Sequence, residues 1–222
     1  MSTSELPALT DETRREIIER HRARGVAIPC TDGVVIGPHV TIEPGAVILP
    51  GTILLGKTSV GTDCVLNNVQ AEDSQIGPGC EIGPWVRLRP GTVLGANLRI
   101  GNFVEIKNSE IGDGTKISHL SYIGDAAFGQ NVNVGCGLAV ANYDGTPGVK
   151  HRTAVGDGAF IGCHNSLVAP VELGAGAYTA AGSVITENVP EGGFAIARTR
   201  QVNKEQKKRR GRGGNLPPAT HI

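Results

Sequence analysis

The sequence predicts an all-β chain, a parallel β-helix with one short N-terminal α-helix, and three observations carry that reading. Aliphatic residues recur every six positions: Ile36, Ile42, Ile48, Leu54, Val60 and Leu66, then Ile76, Ile82, Leu88, Leu94, Ile100 and Ile106. The beat returns at Val155, Ile161, Leu167 and Leu173, and runs on through Thr179 to Ile185. A fixed short period of this kind is the signature of a solenoid whose coils stack on one another. Two residues before each beat stands a small side chain, among them Ala46, Thr52, Cys64, Cys80, Thr92 and Ala159. Strand side chains alternate between faces, so both positions point inward and the residues between them point out. Glycine is abundant (32 of 222) and aromatics are few (4 Phe, 3 Tyr, 1 Trp), which suits a narrow core and a corner every few residues.

Taken in order, residues 1 to about 9 read as a free terminus. Thr10 then caps Asp11-Glu12, bases follow, and Gly25 ends the run, so a helix is expected over 11–23. Residues 1–32 form this tail and connector, 33–200 the solenoid, and 201–222 a basic flexible tail containing KKRRGRGG. Three hexapeptides close one triangular coil, so residues eighteen apart stack about 4.8 Å from one another. Two interruptions break the beat. Leu66 to Ile76 runs four residues over, and Val140 to Val155 runs nine over, around Asn142-Tyr143-Asp144-Gly145. Solenoids export such insertions as loops, often on the binding face.

Composition narrows the function. The formal net charge is zero, which gives no general attraction to nucleic acid or membrane surface. No apolar run is long enough to span a bilayer, and no apolar signal region opens the chain, so a cytoplasmic location is expected. Five cysteines without a paired framework fit a reducing compartment.

Aligned coils place chemistry in columns. The outward position two after the beat reads Asn102, His119, Cys136, Cys163 and Ala181 on successive coils. Leu88 and Ile106 lie one coil apart, with Arg87 and Arg89 flanking one and Glu105 and Lys107 the other; Tyr122 takes the Glu105 position on the next coil. Arg89, Lys107, Glu105, Tyr122 and His119 are therefore expected at one edge. Arg and Lys suit a phosphate, and a histidine titrating near neutrality suits a general base. A solvated charged face would present the same residues. Cys136 and Cys163, stacked and outward, raise a disulfide or thiol chemistry, or are small residues lining a groove. The remaining histidines do not stack with His119 as a ligand set, so no metal site is expected.

The segments GNFVEIKNSEIGDGTKISHLSYIGDA, NVNVGCG, NYDG, IGCHNSLVAPV, AAGSVIT and IARTRQ, with RLRPG at 87–91, resemble the acetyltransferase half of the bifunctional N-acetylglucosamine-1-phosphate uridylyltransferase/glucosamine-1-phosphate N-acetyltransferase family. The resemblance covers about residues 15–205 and implies a left-handed β-helix acting as a homotrimer with sites between subunits. It implies acetyl transfer from acetyl-CoA to the amine of glucosamine 1-phosphate, feeding UDP-N-acetylglucosamine, peptidoglycan and lipopolysaccharide synthesis. In that family's terms His119 is the base with Glu105 supporting. Arg89, Lys107, Tyr122, Asn133 and Lys150 bind the sugar phosphate, and Cys136, Asn142, Tyr143, Cys163, Ala181 and Arg198 line the acetyl-CoA groove. The family's N-terminal nucleotidyltransferase half has no counterpart here, so a separate uridylyltransferase partner is an expectation. The loop after NYDG is two residues longer than the family's. Other readings are an acyltransferase for another amino sugar, a non-catalytic solenoid that partners a nucleotidyltransferase, and a zinc hydrolyase of the same fold.

Overall fold

The computed structural model describes residues 9–204; the tail before Leu9 and the basic run from residue 205 lie outside the described residues. The helix spans Asp11–Arg22, and the Thr10 hydroxyl accepts from the Thr13 N–H at 3.3 Å. Asp11 and Glu12 in the first turn and Arg20, His21 and Arg22 in the last complement the helix dipole. Its apolar side, Ile17 and Ile18, closes the open end of the first coil and joins the common core. Arg14 Nη1 ties it down by donating to the carbonyls of Thr31 (3.0 Å) and Val34 (3.1 Å).

Beyond the helix the chain winds as a parallel solenoid of about nine coils. Each coil lays down three short strands, giving three faces. The first stacks Val35–Ile36, Ile53–Leu55, Val69–Glu72 and Val86–Leu88, then the far ends of two long strands, Arg99–Lys107 and Lys116–Gly124, and continues through Ala139–Ala141 and Ser166–Val168. The second runs from Thr41–Ile42 to Val171–Leu173 as an eight-stranded sheet. The third includes Val65–Leu66, Glu81–Ile82, the near ends of the two long strands, Asn133–Val134, Phe160–Ile161 and Tyr178–Thr179. Because Arg99–Lys107 and Lys116–Gly124 run unbroken around a corner, the first and third faces join into one sheet of sixteen strands.

The beat residues all point inward: Ile36, Ile48, Leu54, Leu66 and Ile106 are completely buried, and so are the small-slot residues Ala46, Thr52, Cys64 and Cys80. Thr179 takes its apolar neighbours' place and is also fully buried, with its hydroxyl accepting from Gly162 N–H at 3.2 Å. Eighteen-residue coils pair Leu88 with Ile106 and Ile36 with Leu54.

The stretch from Leu66 to Ile76 differs from the expected exported insertion. Val69–Glu72 is a full member of the first face, with Ala71 standing between Leu54 and Leu88 in register. The chain makes two five-residue steps there, Leu66 to Ala71 and Ala71 to Ile76, rather than one six-residue step and a loop. Alanine at the inward position hid the beat. The second interruption is a true export: residues 143–150 are exposed, while Phe128 pairs with Val155 and Val140 with Leu167 across it.

Candidate functional site

The structure divides the expected single edge into two surfaces. On the first face, Arg89 Nη1 meets Glu105 Oε1 at 2.8 Å, each side chain about one-third exposed (35% and 34%). Arg87, Glu105 and Tyr122 form one outward column, and Lys107 stacks beneath Gly124 in the next. Gly124 leaves room there: a Cβ would stand 2.5 Å from the Tyr122 hydroxyl and 2.8 Å from Asn142 Nδ2, so both side chains would have to shift. The glycine therefore brings the phenol and the amide together above Lys107. Arg87, Arg89, Lys107, Glu72 and Asp73 line a depression of about 400 Å³, a cationic pocket with two acidic residues at its side, suited to a phosphate.

His119 lies around the corner, at the third-face end of the strand Lys116–Gly124. It pairs in register with Asn102, and its Nδ1 stands 3.4 Å from Asn102 Oδ1. Together with Glu81, Arg99 and Gly101 the two line a separate groove of about 520 Å³. Gly101 lets the coils approach, since a Cβ there would lie 1.8 Å from Ser118 O. Above His119 the ladder continues as the sequence suggests. Val134 pairs with Ile161 and Ile161 with Thr179, so Cys136, Cys163 and Ala181 follow in line, with the Arg198 side chain reaching to within 3.7 Å of a Cβ built on Gly182. Asn133 is exposed on the third face, between Lys116 and Phe160.

Two predicted residues sit otherwise than expected. Asn142 does not line an open groove: it is 5% exposed and donates to Asp125 Oδ2, while Asn108 donates to Asp125 Oδ1 at 2.6 Å. This Asn–Asp–Asn ladder, buried at Asp125 and Asn142, anchors the base of the exported loop. Lys150 does not reach the Arg89 surface within the chain; its Nζ lies 3.7 Å from the centre of the Tyr143 ring, a cation–π contact inside the loop. Nearby, the Thr146 N–H and the His151 ring pull the Asp144 carboxyl down to about 2. That pair tightens the loop further, with His151 Nε2 at 3.0 Å from Asp144 Oδ2.

The residues that separate the two surfaces were not anticipated. At the corner between third and first faces, successive coils carry Gly51, Asn68, Trp85, Phe103, Leu120, Gly137, His164 and Gly182, all with positive φ. Most are residues that enter the left-handed region readily; Trp85, Phe103 and Leu120 are not, and a bulky side chain there costs roughly 1 kcal/mol or more. All three project outward, 53–56% exposed, and Trp85 stacks on Phe103 with ring centres 5.4 Å apart. They form an apolar rim between His119 and Tyr122. The signal was legible: bulky apolar residues where neighbouring coils carry glycine or asparagine.

A model of the bacterial transferase hexapeptide repeat, six repeats long, matches residues 73–108, the stretch that holds Arg89, Glu105 and Lys107. Over 209 residues the chain is 48% identical to the bifunctional protein GlmU of an Exiguobacterium species, an alignment covering 86% of this chain and 46% of that protein. The chain belongs to the hexapeptide-repeat transferase family. The GlmU protein of Brevibacillus brevis is likewise 48% identical over 208 residues, covering 86% of this chain and 45% of its own length. The chain thus spans about half the length of the curated relatives it matches. Its fold is shared with the UDP-N-acetylglucosamine acyltransferase of Francisella novicida, at a TM-score of 0.67 and 17% identity over 77% of this chain and 66% of that one. Among the described residues, no helix is long and apolar enough to cross a membrane.

Proposed function

We propose that this hexapeptide-repeat protein is the acetyl-transfer unit of a GlmU-type system, moving an acetyl group from acetyl-CoA to the amine of glucosamine 1-phosphate. The observation that carries the reading is the ladder from Asn102 and His119 through Cys136 and Cys163 to Ala181, beside a cationic surface of Arg89 and Lys107. The acetyl-transfer unit is residues 33–200, with the helix as its connector, working in the cytoplasm.

Arg89 and Lys107 hold the phosphate, with Glu105 fixing the guanidinium through its 2.8 Å contact. With Nδ1–H donated to Asn102 Oδ1, His119 keeps its Nε2 lone pair to take a proton. The amine nitrogen attacks the thioester carbon and forms the amide bond. The carbon–sulfur bond breaks, and the proton gained by His119 passes to the departing CoA thiolate. Ladder backbone N–H groups or the Tyr122 hydroxyl stabilise the oxyanion, and the groove along Cys136, Cys163, Ala181 and Arg198 receives the coenzyme. Tyr143 and Asn133 contact the substrates. The two surfaces within one chain and the apolar rim between them favour a homotrimer, in which a neighbouring subunit completes each site. A separate uridylyltransferase would then act on the product.

The test is release of free CoA from acetyl-CoA, with glucosamine 1-phosphate, glucosamine and a nucleotide-linked amino sugar as parallel acceptors. Release with the 1-phosphate alone, falling about a hundredfold or more in His119→Ala, is the expected result. Release only with another amino sugar would replace the substrate. Silence with every acceptor would replace the enzyme by a binding solenoid.

A further inference from the structure

The proposed transfer needs room along the ladder above His119 but makes no use of the two thiols that stand there. Cys136 and Cys163 are both free. The strands Asn133–Val134 and Phe160–Ile161 pair in parallel with Val134 opposite Ile161, and each cysteine comes two residues after its strand's inward residue. The register persists past the strand ends, because Gly135 N–H donates to Ile161 O and His164 N–H to Cys136 O, both at 2.7 Å. The two backbones are in contact: a Cβ on Gly135 would stand 2.6 Å from Cys163 N. Stacked coils separate such Cα atoms by about 4.8 Å, within the roughly 4.4–6.8 Å that a disulfide spans.

A second stacked pair in the same chain provides the contrast. Cys64 and Cys80 also sit on adjacent coils, next to the paired residues Val65 and Glu81. Both are fully buried, and their thiols donate to core-facing carbonyls, Cys64 to Gly77 O at 3.1 Å and Cys80 to Gly95 O at 3.3 Å. Cys163 is exposed and Cys136 half-buried, so only this pair is open to a reagent from solution. Reactivity of a thiol follows its access as well as its ionisation.

We infer that Cys136 and Cys163 form a redox-active dithiol that closes the ladder when oxidised. The oxidant is a low-molecular-weight disulfide of the glutathione type. The Cys163 thiolate attacks one of its sulfurs, the S–S bond breaks, and one small thiolate leaves. The Cys136 thiolate then attacks Cys163 Sγ and expels the second. The protein loses two electrons and two protons to form one S–S bond, and the oxidant is reduced to two thiols. The new bond clamps the coils that flank the exported loop and ties together the side chains on the two rungs above His119. The linkage stands on geometry alone; its effect on turnover rests on the acetyl-transfer reading.

The full chain is equilibrated in glutathione buffers from reducing to oxidising, alkylated, and digested with trypsin, which separates the two cysteines by cutting at Lys150 and Arg152. CoA release is followed in the same samples. The expected result is a reducible Cys136–Cys163 linkage that appears while Cys64 and Cys80 remain thiols, with turnover falling about tenfold or more and recovering on reduction. Cys136→Ala should leave Cys163 carrying a single mixed disulfide. Free thiols at both positions at the oxidising end, or prior linkage of Cys64 to Cys80, would overturn the proposal. Linkage with unchanged turnover would overturn its regulatory half. Linkage in a chain that releases no CoA even when reduced would sustain the dithiol and sink the acetyl-transfer reading instead.

Discussion

Replacing Gly101 by alanine tests how the coil stack positions the proposed base. The glycine stands on the corner between the third and first faces, one residue before Asn102, and directly against Ser118, the residue before His119. A methyl group there would lie 1.8 Å from Ser118 O and 2.6 Å from Ser118 C, both backbone atoms that cannot rotate away. Real contacts of this kind rarely fall below about 3 Å, so the two coils must part locally by about an ångström. Overpacking of this sort costs about 1–3 kcal/mol, which lowers the melting temperature of a domain this size by roughly 2–4 °C per kcal/mol. The same movement shifts His119 relative to Asn102, and misplacing a reacting group by about 1 Å costs on the order of a hundredfold in rate. Gly156→Ala is the matched control, because its methyl would meet Ala175 N at 2.4 Å on a corner remote from His119. Both variants should melt earlier in a thermal scan, and only Gly101→Ala should lose turnover in the CoA-release assay. A Gly101→Ala chain as stable as the parent would refute the close-approach argument. Equal turnover losses in the two variants would refute the link between this corner and catalysis.

Two further outcomes follow from buried polar groups. Asp125→Ala strands the buried amide of Asn142, at about 1–3 kcal/mol for a buried donor left without a partner, and also removes the partner of the exposed Asn108; chemical denaturation should show the loss, and limited proteolysis should cut the 143–150 loop sooner. His21, 3% exposed, has its pKa lowered below the ordinary 6.5 by burial, with Arg20 and Arg24 acting in the same direction. The unfolded chain therefore takes up its proton first. The stability that neutral His21 contributes is present above about pH 6.5 and is lost as pH falls from there towards the folded value. Urea midpoints should drop between about pH 7 and about pH 5, and less so in His21→Leu; identical slopes in the two proteins would remove His21 as the cause.

Much of the architecture is local enough to read along the chain. A six-residue recurrence of aliphatic residues specifies inward positions because side chains alternate in any strand, and Ile106 or Leu54 buries whatever the neighbouring coil does. The Asn102–His119–Cys136–Cys163–Ala181 ladder followed from the same arithmetic. The pentapeptide steps around Ala71 did not, since a single methyl gives no beat to count. Nor did the roles of Gly124 and Asp125: one is known by the atoms that would collide with a Cβ, the other by two amides from coils on either side.

The sequence by itself determined the coil, the inward residues and the vertical order of the columns, because each depends on spacing along a few residues. Only the tertiary structure decided which columns face one another. His119 and Tyr122 are three residues apart on one continuous strand, yet a left-handed corner at Leu120 turns them onto different surfaces. Asn142 goes inward to Asp125 and Lys150 folds back onto Tyr143. Those outcomes depend on the angle of each corner and on contacts between coils, where a few tenths of an ångström separate close packing from collision.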